Sequence, residues 1–82
     1  MKLPRDLSGL DLAKLLRTHG YVVERQIGSH IRLTSSVKGT EHHITIPAHK
    51  QLRVGTLSAI LGDIATYLEK TRDTLVAELF GR

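Results

Sequence analysis

The sequence contains no cysteine and no tryptophan, and its aromatic residues are only two tyrosines and one phenylalanine. The absence of cysteine excludes a disulfide scaffold and thiol catalysis. No run of about 18 apolar residues occurs, and the N-terminus lacks the apolar segment of a signal peptide. We therefore expect a protein without a membrane span that acts in the cytoplasm.

The short length of the chain limits where chemistry can take place. Its 82 residues predict one domain, residues 1–82, with no room for a second. A chain of this size buries only about 60–65% of its unfolded surface. We therefore expect any active site on the surface or at a strand edge rather than in an enclosed cavity.

Positive charge is concentrated in the first two thirds of the chain. The net charge is +4, and residues 1–55 carry nine Lys and Arg against four Asp and Glu, whereas residues 56–82 carry three against four. All five histidines also lie in the first part. This distribution suits a polyanion or an acidic protein partner, although a solubilising surface is the alternative.

Hydrophobic periodicity and capping residues predict the element order α-β-β-β-α-α. A three-stranded antiparallel sheet with the helices on one face leaves its other face open to solvent, which is an α+β fold. The predicted elements are a helix starting at Ser8 and stopped by Gly20, strands at 21–27, 30–34 and 42–46, a helix opened by Thr56, and a helix capped by Thr71 and ended by Gly81.

Alternation along the second and third strands places polar side chains on the open face. If the isoleucines and leucines of these strands face the helices, then His30, Arg32, His43 and Thr45 face outward. A turn centred near residues 37–38 would place Arg32 opposite His43. His30 and His43 would then be diagonal neighbours, about 7 Å apart.

Two imidazoles beside a guanidinium suit acid–base chemistry on a phosphodiester. Imidazole titrates near neutral pH, so it can take a proton from a ribose 2′-hydroxyl or return one to a leaving oxygen. A guanidinium can hold the phosphate and the charge that develops on it. Exposed His and Arg on a strand are also common as solvated residues without a function, and that alternative stays open.

Several motifs together resemble one family of toxins. The segment LLRTHGY ends the first helix, GSH opens the second strand, and TIPAHKQLRVGTLSAIL runs into the second predicted helix. From about residue 8 to residue 80 the chain resembles the HicA family of toxin ribonucleases. The resemblance implies a double-stranded-RNA-binding-domain-like fold, α-β-β-β-α with an added C-terminal helix. It also implies cleavage of messenger RNA and neutralisation by a HicB-like antitoxin that covers the active site.

The resemblance assigns the family's single catalytic histidine to His30, with Gly28 and Ser29 shaping its approach. From the residues themselves, Gly28 permits a bend or the close approach of a ligand, and Ser29 fits a turn or a phosphate hydrogen bond better than a nucleophile. His43 is a possible helper on the geometry of the sheet alone, without support from the resemblance.

A basic loop before the second helix is a candidate phosphate-binding segment. Free N–H groups and the helix dipole at a helix N-terminus attract phosphate, although simple capping explains some of the same residues. The candidate phosphate-binding residues of this region are His49, Lys50, Arg53, Gly55 and Thr56.

Histidine spacing leaves a zinc site only as a remote alternative. His42 should face inward as a hydrogen-bonded structural residue, so it would point away from its neighbour His43 on the strand. A set of these two with His49 lacks a cysteine or carboxylate to complete a recognisable ligand spacing. We therefore expect no metal and no small-molecule cofactor.

Three hypotheses follow for function. The first is a metal-independent endoribonuclease that cleaves single-stranded messenger RNA, with His30 as base and Arg32, Lys50 and Arg53 holding phosphate. The second is a non-catalytic RNA-binding module with the same fold, and the third is a surface that serves mainly to bind an acidic antitoxin. Because no aromatic residue falls on the open face, RNA binding should be driven by the backbone and sensitive to salt.

Overall fold

The computed structural model describes residues 3–81 and has the element order that the sequence predicts. It is an α+β fold with three helices and a three-stranded antiparallel sheet, as expected. The elements are α1 (Gly9–Leu16), continued by a 3-10 turn (Arg17–His19), β1 (Val22–Ile27), β2 (His30–Ser35), β3 (His42–Pro47), α2 (Val54–Leu68) and α3 (Arg72–Phe80).

Local capping residues fix the ends of α1 and α3. The side chain of Ser8 accepts a hydrogen bond from the backbone N–H of Asp11, and Thr71 caps α3 in the same way. Gly20, which ends the 3-10 turn, and Gly81, which ends α3, adopt left-handed backbone conformations. These predictions are confirmed because each cap depends only on residues within one helical turn.

The second helix begins two residues earlier than the sequence predicts. Arg53 is its N-cap, with an extended backbone and no capping hydrogen bond from its side chain, and its carbonyl accepts the first helical bond, from Leu57 N–H at 2.9 Å. Thr56 therefore lies inside the first turn and does not open the helix. The prediction was wrong because it relied on a hydroxyl cap where backbone geometry alone starts the helix.

The helices cover one face of the sheet, whose strand order is β1-β2-β3. Along β2, Ile31 and Leu33 are buried while His30 is exposed, so alternate residues face the helices and the open side. The largest fully buried side chains are Tyr21, Leu12, Leu16, Ile31, Leu33, Ile46, Leu57, Leu61, Ile64, Leu75 and Ser35. Within residues 3–81, no helix is both long and apolar enough to cross a membrane.

The pairing of β2 with β3 differs from the predicted register by two residues. Ile31 lies opposite Ile46, not Ile44, because the connecting loop of residues 36–41 is centred one residue later than expected. Tyr67 of α2 holds this loop, since its hydroxyl accepts from one backbone N–H of the loop and donates to one of its carbonyls. A shift of two keeps every side chain on its predicted face but changes its neighbours.

Candidate active site on the open sheet face

A two-residue turn carries the chain from β1 into β2. Gly28 and Ser29 lie between Ile27 and His30, which are paired. Gly28 has a φ of 56°, and a positive φ at the first position alone is the pattern of a type II′ turn, which selects glycine there. A Cβ at Gly28 would meet no atom of residues 3–81 within 4 Å, so this glycine is required by backbone conformation and not by a close neighbour among them.

Replacing Gly28 with alanine should lower the free energy of unfolding by about 1 kcal/mol, because an L-residue is strained at this φ. Gly55→Ala is the matched control, since a Cβ there also meets no described atom within 4 Å and its φ is ordinary. We expect the control to match or slightly exceed wild-type stability in urea denaturation. Equal midpoints for Gly28→Ala and the wild type would contradict this account of the turn.

A β-bulge in β1 changes which side chains reach the open face. Val23 lies opposite Leu33 and Arg25 lies opposite Arg32, so Glu24 is an extra residue without a partner in the ladder. The side chain of Glu24 hydrogen-bonds to Arg32, and Arg25 lines the same surface. Two successive residues therefore point to one face, which strict alternation does not allow.

A shallow depression of about 270 Å³ surrounds His30 on the open face. The His30 ring is exposed and, within residues 3–81, makes no hydrogen bond or ion pair. It is thus available to a bound molecule. The depression is lined by Arg25, Ile27, His30, Arg32 and Thr45.

The depression confirms the predicted neighbourhood of His30 and Arg32, but sequence reasoning missed Arg25. In a regular strand, Arg25 would share a face with the residue two positions earlier, Val23, which sits opposite the buried Leu33. Regular alternation would turn Arg25 toward the helices, where a charged side chain is unfavourable. That mismatch is the only sign in the local sequence that Arg25 faces the other way.

Arg32 is held in place by the carboxylate of Glu24, a residue that sequence reasoning did not select. Its Nε donates to the Glu24 carboxylate at 3.1 Å, and the Thr34 hydroxyl donates to the same oxygen at 3.1 Å. The hydrogen bonds from Thr34 and Arg32, with the charges of Arg32 and His43, hold the pKa of Glu24 below its ordinary value. Glu24 is therefore a carboxylate at neutral pH.

His43 is not a neighbour of His30, so the geometric reason for calling it a helper is wrong. His30 lies opposite Pro47, and His43 lies opposite Thr34 at the far end of the strand pair. Four residues along β3 and one step across the sheet separate the two histidines by roughly 14 Å. His43 instead contacts the Thr34 hydroxyl at 2.9 Å and the Glu41 carboxylate at 3.3 Å.

His42 is the structural residue that the sequence predicts. Its Nδ1 lies 2.7 Å from the Tyr21 hydroxyl, its ring stacks on Tyr67 with centroids 4.6 Å apart, and its Nε2 lies 3.3 Å from the Asp63 carboxylate. Burial raises the pKa of Tyr21, so the phenol stays protonated and able to donate. His42 thus joins α2 to the edge of the core.

The zinc site considered from the sequence would require adjacent histidines to point the same way. His42 packs on the helix side of the sheet, whereas His43 contacts Thr34 on the open face. In the part of the chain that the structure describes, no three His, Cys, Asp or Glu side chains are grouped as a metal site.

The basic loop of residues 48–53 is fixed next to the turn that precedes His30. Ala48 N–H donates to the Ser29 carbonyl at 2.6 Å, and the first residue of α1 donates to the His49 carbonyl at 3.0 Å. Leu52 is buried and anchors the loop in the core. The exposed basic side chains of the loop are His49, Lys50 and Arg53.

The N-terminus of α2 lies at the end of this loop. It has neither a capping side chain nor an acidic residue in its first turn. Gly55 and Thr56, both predicted to bind phosphate, lie in that turn, with Gly55 exposed and Thr56 half-buried. An adjacent depression of about 400 Å³ is lined by Arg5, Gln51, Leu52, Arg53 and Val54. The predicted loop cations are thereby joined by Arg5, which the sequence did not single out.

A family model described as the HicA toxin of bacterial toxin-antitoxin matches residues 9–65 of the chain. The match covers well over half of the 82 residues and includes the turn before His30 and the whole basic loop. The chain belongs to the HicA toxin family. Comparisons with curated proteins and with solved structures give no significant match.

Membership of the HicA family confirms the resemblance drawn from the GSH and TIPAHKQLRVGTL segments, since both lie within the matched residues. It makes the chain the toxin component of a toxin–antitoxin system, and so gives it an antitoxin as partner. The His30 depression and the basic loop both carry exposed cationic side chains, which suit a polyanion.

Proposed function

We propose that this HicA-family toxin is an endoribonuclease that cleaves single-stranded messenger RNA with His30 as its catalytic base. The single observation that carries the proposal is the placement of His30. Its ring is exposed at the start of a rigid strand, makes no polar contact within the described residues and lies in a depression with Arg32. A histidine with a core role would instead have partners like those of His42.

The chemistry needs only a base and a cation. His30 takes the proton from a ribose 2′-hydroxyl, the 2′-oxygen attacks the adjacent phosphorus, and the bond from phosphorus to the 5′-oxygen breaks. The 5′-oxygen leaves with a proton from the imidazolium or from water, and the product carries a 2′,3′-cyclic phosphate. The Arg32 guanidinium stabilises the charge that develops on the phosphoryl oxygens.

The basic loop extends the surface along which RNA can bind. The hydrogen bond from Ala48 to Ser29 places His49 and Lys50 beside the His30 turn, and Arg53 follows at the start of α2. Free N–H groups at Gly55 and Thr56 suit a further phosphate. All three aromatic side chains are at least half-buried, so binding relies on phosphate contacts and should weaken steeply with added salt.

The antitoxin that neutralises this toxin is, in the same proposal, a HicB-like protein that covers the His30 depression. The net charge of +4 and the cations around His30 favour an acidic surface on that partner. Messenger RNA as substrate places the activity in the cytoplasm.

One observation favours a second candidate function, a non-catalytic RNA-binding module. Among residues 3–81, no carboxylate hydrogen-bonds to the His30 ring to orient it, in contrast to the partners of His42 and His43. Such a module would bind RNA with the same salt dependence but would leave it intact.

The test is a cleavage assay with end-labelled single-stranded RNA in excess EDTA. We expect cleavage, with products that carry 2′,3′-cyclic phosphate or 3′-phosphate ends. A matched oligonucleotide with 2′-deoxyribose throughout should stay intact, because it lacks the attacking hydroxyl. Equal cleavage of both substrates would overturn the mechanism, and binding without cleavage of either would establish the second candidate.

A further inference from the structure

The bulge in β1 places two arginines side by side on the open face, an arrangement that does not stabilise the fold. Arg25 lies directly opposite Arg32 on the neighbouring strand, and both side chains line the depression around His30. Like charges directly opposite each other destabilise a sheet. An anion between two guanidinium groups removes that repulsion, and a phosphate accepts from both.

Among the described residues, an acidic side chain contacts Arg32 but none contacts Arg25. Glu24 accepts from Arg32 Nε at 3.1 Å, whereas the Arg25 side chain has no hydrogen-bond or ion-pair partner within the described part of the chain. The Thr34 hydroxyl, 3.1 Å from the same Glu24 oxygen, fixes the carboxylate. One guanidinium is thus held in a set orientation while the other is free.

We propose that Arg25 and Arg32 form a clamp for one phosphate of the RNA next to His30, and that Glu24 is a positioning residue that orients Arg32 within it. The inference deepens the proposed function and rests on it for the identity of the substrate. It assigns a binding role to Arg25 and a positioning role to Glu24, neither of which follows from family membership.

The contact between Glu24 and Arg32 orients the guanidinium and does not only neutralise its charge. Glu24 contacts the Nε side of the guanidinium, and Arg32 at the same time lines the depression with His30. Fixing the Nε edge removes rotational freedom from a long side chain before the ligand arrives, which lowers the entropy lost on binding. The side chains of Arg32 and Glu24 remain 42% and 46% exposed, so a phosphate can reach them.

The role of Arg25 is tested by RNA binding in a His30→Ala background, where the RNA stays intact. A fluorescently labelled short single-stranded RNA of mixed sequence is titrated at several salt concentrations. We expect Arg25→Gln to weaken binding about tenfold and to reduce the slope of log affinity against log salt by about 0.7, as for one lost phosphate contact.

The matched control for Arg25 is Arg17→Gln. Arg17 is an exposed arginine of the 3-10 turn after α1, lies on the helix side of the sheet, and its side chain has no hydrogen-bond or ion-pair partner within the described residues. The control carries the same charge change and should weaken binding less than about twofold, because Arg17 lies on the helix side of the sheet, where salt screens it from a phosphate on the open face. Equal effects of the two variants would overturn the clamp.

The role of Glu24 is tested by a double-mutant cycle in the same background. We expect Arg32→Gln to weaken RNA binding about tenfold alone but only about threefold when Glu24→Ala is present, because a disordered Arg32 contributes less. We call the factor by which Arg32→Gln weakens RNA binding the Arg32 penalty. If Glu24 only neutralised the charge of Arg32, removal of Glu24 would enlarge this penalty. An enlarged or unchanged penalty would overturn the positioning role.

Two further variants separate orientation from charge. Glu41→Ala removes an exposed carboxylate that pairs with His43 and not with Arg32, so the Arg32 penalty should stay tenfold. Glu24→Gln keeps an oxygen that can accept from Arg32, and it should restore most of that penalty. A Glu41→Ala result like that of Glu24→Ala would show a general charge effect and contradict the proposal.

Failure of this inference is distinguishable from failure of the proposed function. Wild-type protein that leaves RNA intact while Arg25→Gln weakens binding would refute the ribonuclease and keep the clamp. Wild-type protein that cleaves RNA while Arg25→Gln binds as tightly as its parent would keep the ribonuclease and refute the clamp.

Discussion

His30→Ala is expected to lower the rate of RNA cleavage by about 10²- to 10⁴-fold, the usual contribution of a general acid–base group. His30 is the only imidazole that lines the depression with Arg25 and Arg32 among the described residues, so no nearby side chain can take over its proton transfer. The substitution removes an exposed side chain, so stability should hardly change. The measurement is the single-turnover cleavage rate in EDTA.

His43→Ala is the matched control for this experiment. It removes an exposed imidazole from the same sheet face, yet the strand pairing places His43 opposite Thr34 and far from His30. We expect its cleavage rate to stay within about threefold of the wild type, because His43 is outside hydrogen-bond reach of the substrate and is connected to the site only through Thr34 and Glu24. Comparable losses in both variants would contradict His30 as the sole base, and undiminished cleavage by His30→Ala would place the chemistry elsewhere.

Gly9→Ala is expected to lower the free energy of unfolding by about 1–3 kcal/mol. A Cβ at Gly9 would lie 2.0 Å from the Pro47 carbonyl oxygen and 3.1 Å from the Cα of Ala48. Because these are backbone atoms, relief requires α1 and the end of β3 to move apart. That movement also strains the bond from Gly9 N–H to the His49 carbonyl, which fixes the basic loop.

Gly62→Ala provides a control of opposite sign for Gly9→Ala. Gly62 lies inside α2, and a Cβ there would approach only the tip of Arg72, at 4.0 Å. Alanine should therefore stabilise the helix by up to about 1 kcal/mol. Both values come from thermal or urea denaturation, and a Gly9→Ala variant as stable as Gly62→Ala would contradict the close approach of α1 to β3.

Features that depend on neighbouring residues were predictable from the sequence. Ser8, Thr71, Gly20 and Gly81 fix helix ends through contacts within a turn, and the alternation along residues 30–34 separates buried from exposed positions. The same alternation places His30 on the open face. The family was predicted from short segments of sequence. The alternation of side chains along β3 predicted that His42 faces inward as a hydrogen-bonded structural residue.

Features that depend on how distant segments meet required the tertiary structure. The position of the loop between β2 and β3, held by Tyr67 of α2, sets the register and separates His43 from His30. The bulge at Glu24 is an irregularity of pairing between two strands, and periodicity within one strand cannot reveal it. The sequence by itself determined the order of the elements, the faces of β2 and β3, and the exposure of His30 on the open face. Only the packing of strands and helices decided which charged side chains surround that histidine, because those distances are set across the fold and not along the chain.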